Sequence, residues 1–226
     1  FGDVELTTVP EDNYFRRQDL DPHLGDGELE RNQELIDLVN KHGPSIKAII
    51  STSASLPVTK RCLESGMQLY WWNPMYDDFD APNSVTRQVY QSNKVPCIAN
   101  GGDVGTSAWV IAHAVLGRQE VALVGMDFSY APGTPLVNTQ YYNEIHEMFG
   151  DKTEDAFIFV ENPYIGETWF TDPAYYWYNQ SFLQLAQEAD CNTYNCTEGG
   201  ILFGEGVEFV PLRQFLASSN GSYKGR

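Results

Sequence analysis

The stretch Asn100–Tyr130 constrains the fold of this chain more than any other, and it reads NGGDVGTSAWVIAHAVLGRQEVALVGMDFSY. A loop of glycines and small polar residues comes first. It is followed by Val104–Leu116, an apolar segment with helical spacing that Gly117 ends. A short buried strand is expected next, at Val121–Val124. This order predicts half of a βαβ unit, with its polar groups gathered at the ends of elements, where α/β folds bind ligands.

The loop before this helix has the composition of a ligand-binding turn. Its glycines allow the backbone to turn tightly and to approach a ligand closely. The free N–H groups at the helix start, at its positive dipole end, suit a phosphate or a carboxylate, and two hydroxyls add donors. The residues that we predict to bind a ligand here are Asn100, Gly101, Gly102, Gly105, Thr106 and Ser107.

Two aspartates in the stretch leave alternatives open. Asp103 is awkward for an anion, but it is a good N-cap for the helix. Asp127 follows Gly125 just past the carboxyl end of the predicted strand, where it would meet a ribose hydroxyl, a metal ion or a base. The alternative is that Asp103 only caps the helix and Asp127 only closes a turn, since glycine-rich turns before helices are common.

The rest of the chain repeats the alternation of strand, polar loop and helix. We predict strands at Val4–Val9, Ile46–Ile50, Met67–Trp72, Val95–Ala99, Phe157–Val160 and Thr193–Cys196, and helices at Leu29–Val39, Pro57–Glu64, Thr139–Phe149, Ala174–Ala189 and Val210–Leu216. Such alternation predicts an α/β fold with a mostly parallel sheet and helices on both faces. We expect a single domain over residues 1–217 and a polar tail over 218–226.

Two regions are predicted to lack helices and strands. Residues 75–95 carry Asp77, Asp78 and Asp80, and we interpret them as a solvated acidic loop because the glycine and the distal glutamate of an EF-hand are missing. Residues 162–169 are interpreted as a long polar and aromatic loop. The sequence Thr-Asp-Pro at 171–173 is then expected to cap the following helix.

Composition argues against several classes of partner. The chain has 226 residues and a formal net charge of −17, whereas nucleic acids and anionic membrane surfaces require basic patches. No apolar stretch is long enough to span a bilayer and no signal peptide opens the chain, so we expect a cytoplasmic protein. The four cysteines have no paired metal spacing and are predicted to be reduced, buried thiols: Cys62, Cys97, Cys191 and Cys196.

Two motifs carry a resemblance to a known family. The run from Gly101 through Leu116-Gly117 to Val124-Gly125-Met126-Asp127, followed by the Thr-Glu-Gly-Gly that ends at Gly200, resembles the 6-hydroxymethylpterin diphosphokinase-like proteins. That family includes the motility accessory factors that glycosylate flagellin. More distantly, the pattern is similar to bacterial sialyltransferases of glycosyltransferase family 42. The similarity covers roughly residues 45–217, with the two motifs in the expected order.

The resemblance implies a Rossmann-like domain that binds an activated nucleotide donor. Glu198 and Gly199 of the second motif, and Gly125 of the first, are then further binding residues. These families open with a glycine-rich strand-turn that contacts the nucleotide, and we expect that element upstream of Phe1.

Sugar transfer is the function that we favour, since the Thr-Glu-Gly-Gly ending and the tyrosine-rich segments resemble the accessory-factor branch more closely. The donor would be a nucleotide sugar, such as a CMP-activated nonulosonic acid, and the acceptor a small molecule or a glycan. Asp127 lies in the expected catalytic centre. Tyr130 or Tyr142 would donate a hydrogen bond to the departing phosphate, and His146 would be the general base for the acceptor hydroxyl. This reading requires no metal cofactor.

Two alternatives stay open. The first is an ATP-dependent 6-hydroxymethylpterin diphosphokinase, which needs Mg²⁺, with Asp127 and Glu198 as metal ligands and an aromatic residue such as Trp72 stacked on the pterin. No P-loop sequence is present, so phosphate binding would rest on backbone N–H groups. The second is a degenerate binding domain that has kept the fold and lost the chemistry.

Overall fold

The computed structural model describes residues 6–8, 36–54 and 56–219 and divides the chain into two compact units, residues 1–100 and 101–226. Of the predicted strand Val4–Val9, the structure describes Leu6–Thr8, which are extended. The predicted helix Leu29–Val39 is described only from residue 36 onwards. Its first part, the upstream strand-turn and most of the polar tail lie outside the described residues.

The first unit holds a four-stranded parallel sheet of order β1-β2-β3-β4. Its elements are β1 (Leu6–Thr8), α1 (residues 36–42), β2 (Lys47–Ser51), α2 (Leu56–Glu64), β3 (Gln68–Pro74), α3 (Val85–Asn93) and β4 (Cys97–Ile98). Ile50 of β2 packs against Val58 and Cys62 of α2, and all three side chains are buried. Strands and helices alternate here, as the sequence predicts as far as β3.

The prediction of a loop over residues 75–95 was wrong, because α3 forms within it. The carboxylate of Asp77 accepts hydrogen bonds from the N–H of Val85 at 2.7 Å and of Thr86 at 3.1 Å, and from the hydroxyl of Ser84 at 2.7 Å. Ser84 is the N-cap and accepts from the N–H of Arg87. These bonds favour the charged carboxylate and hold the pKa of Asp77 well below its usual range. Asp77 therefore anchors the start of a helix.

The second unit holds a three-stranded parallel sheet of order β5-β8-β9 and a two-stranded antiparallel sheet, β6-β7. Its elements are α4 (Val104–Val110), β5 (Glu120–Leu123), α5 (Tyr142–Phe149), β6 (Ile158–Asn162), β7 (Glu167–Thr171), α6 (Pro173–Glu188), β8 (Asn192–Asn195), β9 (Val207–Phe209) and α7 (Leu212–Ser219). The register pairs Leu123 with Asn195 and Asn195 with Phe209, so the carboxyl ends of all three strands meet at one edge.

The α/β class is confirmed, with helices and mostly parallel sheets, while three details differ from the predictions. The helix predicted at Val104–Leu116 is α-helical to Val110 and continues as a π-helical turn, Ile111–Val115. The loop predicted over residues 162–169 was wrong, because β7 pairs with β6 across a turn that contains Gly166 at φ 68°. Strand β9 was not predicted from the sequence.

The cysteines are free thiols, as predicted. Cys62 and Cys196 are buried, whereas Cys97 and Cys191 are partly exposed, so the prediction of burial is confirmed for two of the four. Within the described ranges, no helix combines the length and the apolar character needed to cross a bilayer.

A buried aromatic pair and a helix cap hold the second unit together. The indole of Trp109 on α4 packs on Phe182 of α6 at 4.9 Å between ring centroids, and its Nε1 donates to the hydroxyl of Thr193 on β8 at 2.9 Å. Asp172 caps α6, as the sequence predicts, by accepting from the N–H of Tyr175 at 2.8 Å. The other oxygen of this fully buried carboxylate accepts from the Tyr130 hydroxyl at 2.6 Å.

We predict that Asp172→Ala lowers the free energy of unfolding by about 2–4 kcal/mol, the sum of a lost N-cap and an orphaned Tyr130 hydroxyl. Urea denaturation of the full chain measures the loss. Asp172→Asn is the matched control, because its side-chain oxygen still caps the helix, and it is expected to lose less. An Asp172→Ala variant as stable as the wild type would contradict this role.

Candidate functional site

Two loops leave the second unit's sheet side by side, at the carboxyl ends of β5 and β8. The N–H of Ile201 donates to the carbonyl oxygen of Asp127 at 2.9 Å. The N–H groups of Gly125 and Met126 both donate to the hydroxyl of Thr197, at 3.0 and 3.3 Å. The loop after β5 and the loop after β8 are therefore fixed to each other, and they carry the two motifs that the sequence analysis singled out.

The carboxylate of Asp127 lies at this junction, beside Gly199. It is partly exposed, and no hydrogen bond reaches it from any residue in the described part of the chain. Burial raises its pKa, since no donor offsets the loss of water around the charged form. A carboxylate in such surroundings accepts a proton more readily than an ordinary aspartate.

Glycines at 199 and 200 allow the second loop to approach Asp127. A β carbon at Gly199 would lie 2.8 Å from the Trp169 ring and 3.5 Å from Oδ1 of Asp127. Gly200 has φ 75°, and a β carbon there would lie 2.5 Å from the Asp127 carbonyl oxygen. Any larger side chain would displace the indole or the Asp127 backbone.

Trp169 is a residue of this site that the sequence analysis missed. Its ring, carried by β7, lies against Gly199 next to Asp127. Its indole N–H is buried and has no hydrogen-bond partner among the described residues. The signal available in the sequence was weak, because Trp169 lies in a polar and aromatic segment that we interpreted as a loop.

The glycine-rich loop before α4 is packed against protein. A β carbon at Gly102 would collide with the rings of Trp177 and Tyr178, and one at Gly105 would lie 2.9 Å from the sulfur of Met126. A β carbon at Gly101 would likewise meet the Thr106 side chain. Glycine is needed at these positions because neighbouring side chains fill the space above the backbone.

The hydroxyls that we predicted as ligand donors are used in the helix cap. Asp103 is the N-cap of α4, and its carboxylate accepts from the N–H and the hydroxyl of Thr106. The hydroxyl of Ser107 donates to the Asp103 carbonyl at 2.8 Å, and Thr106 and Ser107 are both buried. Burial raises the pKa of Asp103 although the cap bonds oppose the shift. The capping alternative for Asp103 is confirmed. Asn100 is the last residue of the first unit.

Tyr130 and His146 are the other predicted catalytic residues. The contacts that the structure shows for them are with residues other than Asp127. Tyr130 donates its hydroxyl proton to Asp172 and accepts from the N–H of Gln140 at 3.1 Å. Burial and the Asp172 carboxylate raise the pKa of Tyr130. Tyr130 therefore supports the N-cap of α6, because its hydroxyl donates to the capping residue Asp172.

The imidazole of His146 stacks on the ring of Tyr142, with 5.7 Å between centroids. Its Nδ1 lies 2.9 Å from the hydroxyl of Thr153. These local contacts of α5 are the ones that the structure shows for His146, and Asp127 is not among them.

Glu198 fixes the start of another helix. Its Oε1 accepts from the N–H of Leu212, the first residue of α7, at 3.1 Å. Among the described residues, no group of three or more His, Cys, Asp and Glu side chains is placed to hold a metal ion. Asp127 thus differs from Asp103, Asp172 and Glu198, whose carboxylates all accept hydrogen bonds at helix starts.

No family model, curated protein or solved structure matches this chain. Function is therefore inferred from the geometry around Asp127 and from the residues themselves.

We predict that Asp127→Asn stabilises the fold at pH 7. The folded-state pKa of Asp127 is raised, so the charged carboxylate destabilises the protein above that pKa, and the penalty disappears below the unfolded value of about 3.9. The gain in the free energy of unfolding should shrink as the pH falls towards 4. Urea unfolding at several pH values measures it.

Asp155→Asn is the control, because it removes the same charge at an exposed position of the same unit. This control distinguishes the effect of removing a partly buried charge from the effect of lowering the net negative charge of the chain. An Asp127→Asn variant that gains no more stability than Asp155→Asn would show that the Asp127 carboxylate is adequately solvated or paired.

Proposed function

We propose that this chain is a nucleotide-dependent transferase with a Rossmann-like fold, and that it transfers a sugar from a nucleotide-activated donor to an acceptor hydroxyl. The observation that carries the proposal is the unpaired Asp127 carboxylate at the carboxyl end of β5, beside the glycine loop that follows β8. In open α/β sheets, ligands bind outside the carboxyl ends of the strands. The resemblance to the motility accessory factors agrees with this location.

Asp127 is the general base in this proposal. The carboxylate takes the proton of the acceptor hydroxyl while the acceptor oxygen forms a bond to the anomeric carbon of the donor sugar. The bond from that carbon to the nucleotide phosphate breaks, and the phosphate leaves with the electron pair. The raised pKa of Asp127 suits this role because it increases the proton affinity of the carboxylate.

The glycine positions bring the loop after β8 close to Asp127. Gly199 and Gly200 leave no side chain between their loop and Asp127, and the indole of Trp169 covers one side. The start of α4 is left out of this donor site, because the Asp103 carboxylate caps it and the rings of Trp177 and Tyr178 fill the space above Gly102. In this proposal Asp127 replaces His146 as the general base. The His146 ring contacts Tyr142 and Thr153 instead.

The diphosphokinase alternative is less well supported by the contacts. It requires Glu198 to share Mg²⁺ with Asp127, but the Glu198 carboxylate accepts from the N–H of Leu212. It also requires an aromatic face for the pterin, and Trp72, the example named above, is only 7% exposed, so another aromatic residue would have to supply that face. Sugar transfer needs neither group.

We predict that a nucleotide raises the melting temperature of the chain without metal, because a ligand that binds only the folded state stabilises it by mass action. CMP, UDP, GDP and ATP are each tested with and without Mg²⁺. The matching nucleotide sugar is then assayed for transfer to water. Asp127→Asn should keep the nucleotide-induced shift and lose about 100-fold or more of the turnover, as expected for a missing general base.

Asp155→Asn serves again as the charge-matched control and should turn over normally. Stabilisation by ATP that strictly requires Mg²⁺ would favour the diphosphokinase. The absence of a shift with every nucleotide, or an Asp127→Asn variant with wild-type turnover, would overturn the proposed sugar transfer.

A further inference from the structure

The outer edge of strand β6 carries main-chain groups that face away from the β6-β7 sheet. On the far side of β7, the N–H of Tyr130 donates to the carbonyl of Phe170 at 2.7 Å, and the N–H of Phe170 donates to the carbonyl of Tyr130 at 3.4 Å. The main chain of Phe170 therefore faces away from β6. In an antiparallel ladder the residue opposite, Phe159, then faces away from β7 in the same way.

Glu161 has the same orientation as Phe159, because hydrogen-bonding directions alternate along a strand. Within the described ranges, no further strand, loop or helix supplies a partner for the N–H or the carbonyl of either residue. Both residues thus leave one donor and one acceptor open along the outer edge of β6. Unpaired groups of this kind are a template for pairing with another strand.

The usual devices that block a sheet edge are missing from β6. Proteins protect open edges with proline, lysine or a β-bulge. Strand β6 contains neither proline nor lysine, and its register with β7 runs without a bulge from Ile158 to Asn162. The side chains of Ile158 and Phe159 are 38% and 66% exposed. Both the main chain and the apolar side chains of this edge are therefore accessible to an added strand.

The charge around β6 determines which kind of strand fits. Residues 119–212 of the second unit contain fifteen aspartates and glutamates, one lysine and no arginine. Glu161 is the only charged residue of β6; it is exposed, and strand alternation places it on the same face as Phe159. A second copy of this chain would bring the same negative charge to the edge and be repelled, whereas a basic strand is attracted.

We propose that the outer edge of β6 binds an extended basic peptide segment of another protein, which adds to the β6-β7 sheet as a third, antiparallel strand. Antiparallel pairing places one ligand residue opposite Glu161 and, two residues later in the ligand, another opposite Phe159. The matching ligand sequence is therefore an arginine or lysine, any residue, and then an apolar residue. The interaction is separate from the proposed sugar transfer, since the two share no residue.

The test uses the acetylated pentapeptide amide Thr-Arg-Thr-Val-Thr, whose arginine and valine pair with Glu161 and Phe159. The peptide is titrated into the ¹⁵N-labelled full chain and followed by ¹H–¹⁵N correlation spectra. The amide signals of Phe159 and Glu161 are expected to move downfield, because their N–H groups gain carbonyl partners. The signals of Ile158 and Val160 should move less, since their N–H groups already face β7.

Three modified peptides identify what the edge recognises. N-methylation of the valine removes an N–H that faces β6 and is expected to abolish the shifts. N-methylation of the central threonine removes an N–H that faces solvent, and binding should stay within about twofold of the parent peptide. Replacing arginine by the neutral citrulline should weaken binding roughly two- to fivefold and remove most of its salt dependence.

Paired variants of the chain locate the interaction. Phe159→Pro removes the outward N–H and is tolerated because that group has no partner in the sheet, whereas Phe159→Ala removes only the ring. The proline variant is expected to lose binding and the alanine variant to keep it. Glu161→Gln should weaken binding roughly two- to fivefold, and Glu188→Gln, which removes an exposed charge at the end of α6, should leave it unchanged. Wild-type peak dispersion confirms that each variant is folded.

Three results would overturn the proposal. The parent peptide would cause no shifts at Phe159 and Glu161, the valine-methylated peptide would bind as well as the parent, or the same amides would shift with the concentration of the chain alone. The last result would show that a second copy occupies the edge. Nucleotide binding and turnover are measured without peptide, so the two proposals fail independently.

Discussion

The hydrogen bond from the N–H of Ile201 to the carbonyl of Asp127 is the contact on which the candidate site depends. It holds the loop after β5 against the loop after β8, where parallel strands already bring the carboxyl ends together. The contact is possible because Gly200 adopts a positive φ and has no β carbon to strike the Asp127 backbone. With the main chain fixed, the Asp127 carboxylate is held in a partly buried place without a donor.

Carboxylates elsewhere in this acidic chain show what is unusual about Asp127. Asp77, Asp103 and Asp172 each accept backbone N–H groups at the start of a helix, where the helix dipole also favours a negative charge. Each of these three carboxylates therefore has a structural role at the start of a helix. The Asp127 carboxylate accepts no such bond from any described residue, and burial raises its pKa; in the proposed function it is kept there as a base.

The helix and the strand that lead to Asp127 could be predicted from the sequence, because the patterns that indicate them are local. Glycines on either side of an apolar helix and strand predicted α4 and β5 closely, and the motif at Gly199 was linked to Asp127 through the resemblance. Helix α3 was missed because its sequence, VTRQVYQSN, has few apolar residues, and because its N-cap, Ser84, is supported by Asp77 from several residues upstream. The Rossmann-like arrangement of the whole chain stays a prediction.

The residues that complete the site depend on tertiary contacts that spacing does not reveal. Trp169 reaches Gly199 only because β7 folds back on β6. The hydroxyls of Thr106 and Ser107 looked free for a ligand, yet a cap formed by Asp103 uses both. Polar residues near a helix start serve as caps or as ligand donors, and only coordinates distinguish the two roles.

A pH titration of the Asp127 side-chain carboxyl by ¹³C NMR is the most direct test of this account. Comparison with Asp127→Asn assigns the resonance. The account predicts a midpoint above the usual aspartate pKa of about 3.9, because burial without donors disfavours the charged form. A midpoint at or below that value would show that the carboxylate is well solvated or hydrogen-bonded, and would contradict the role of Asp127 as an unpaired base.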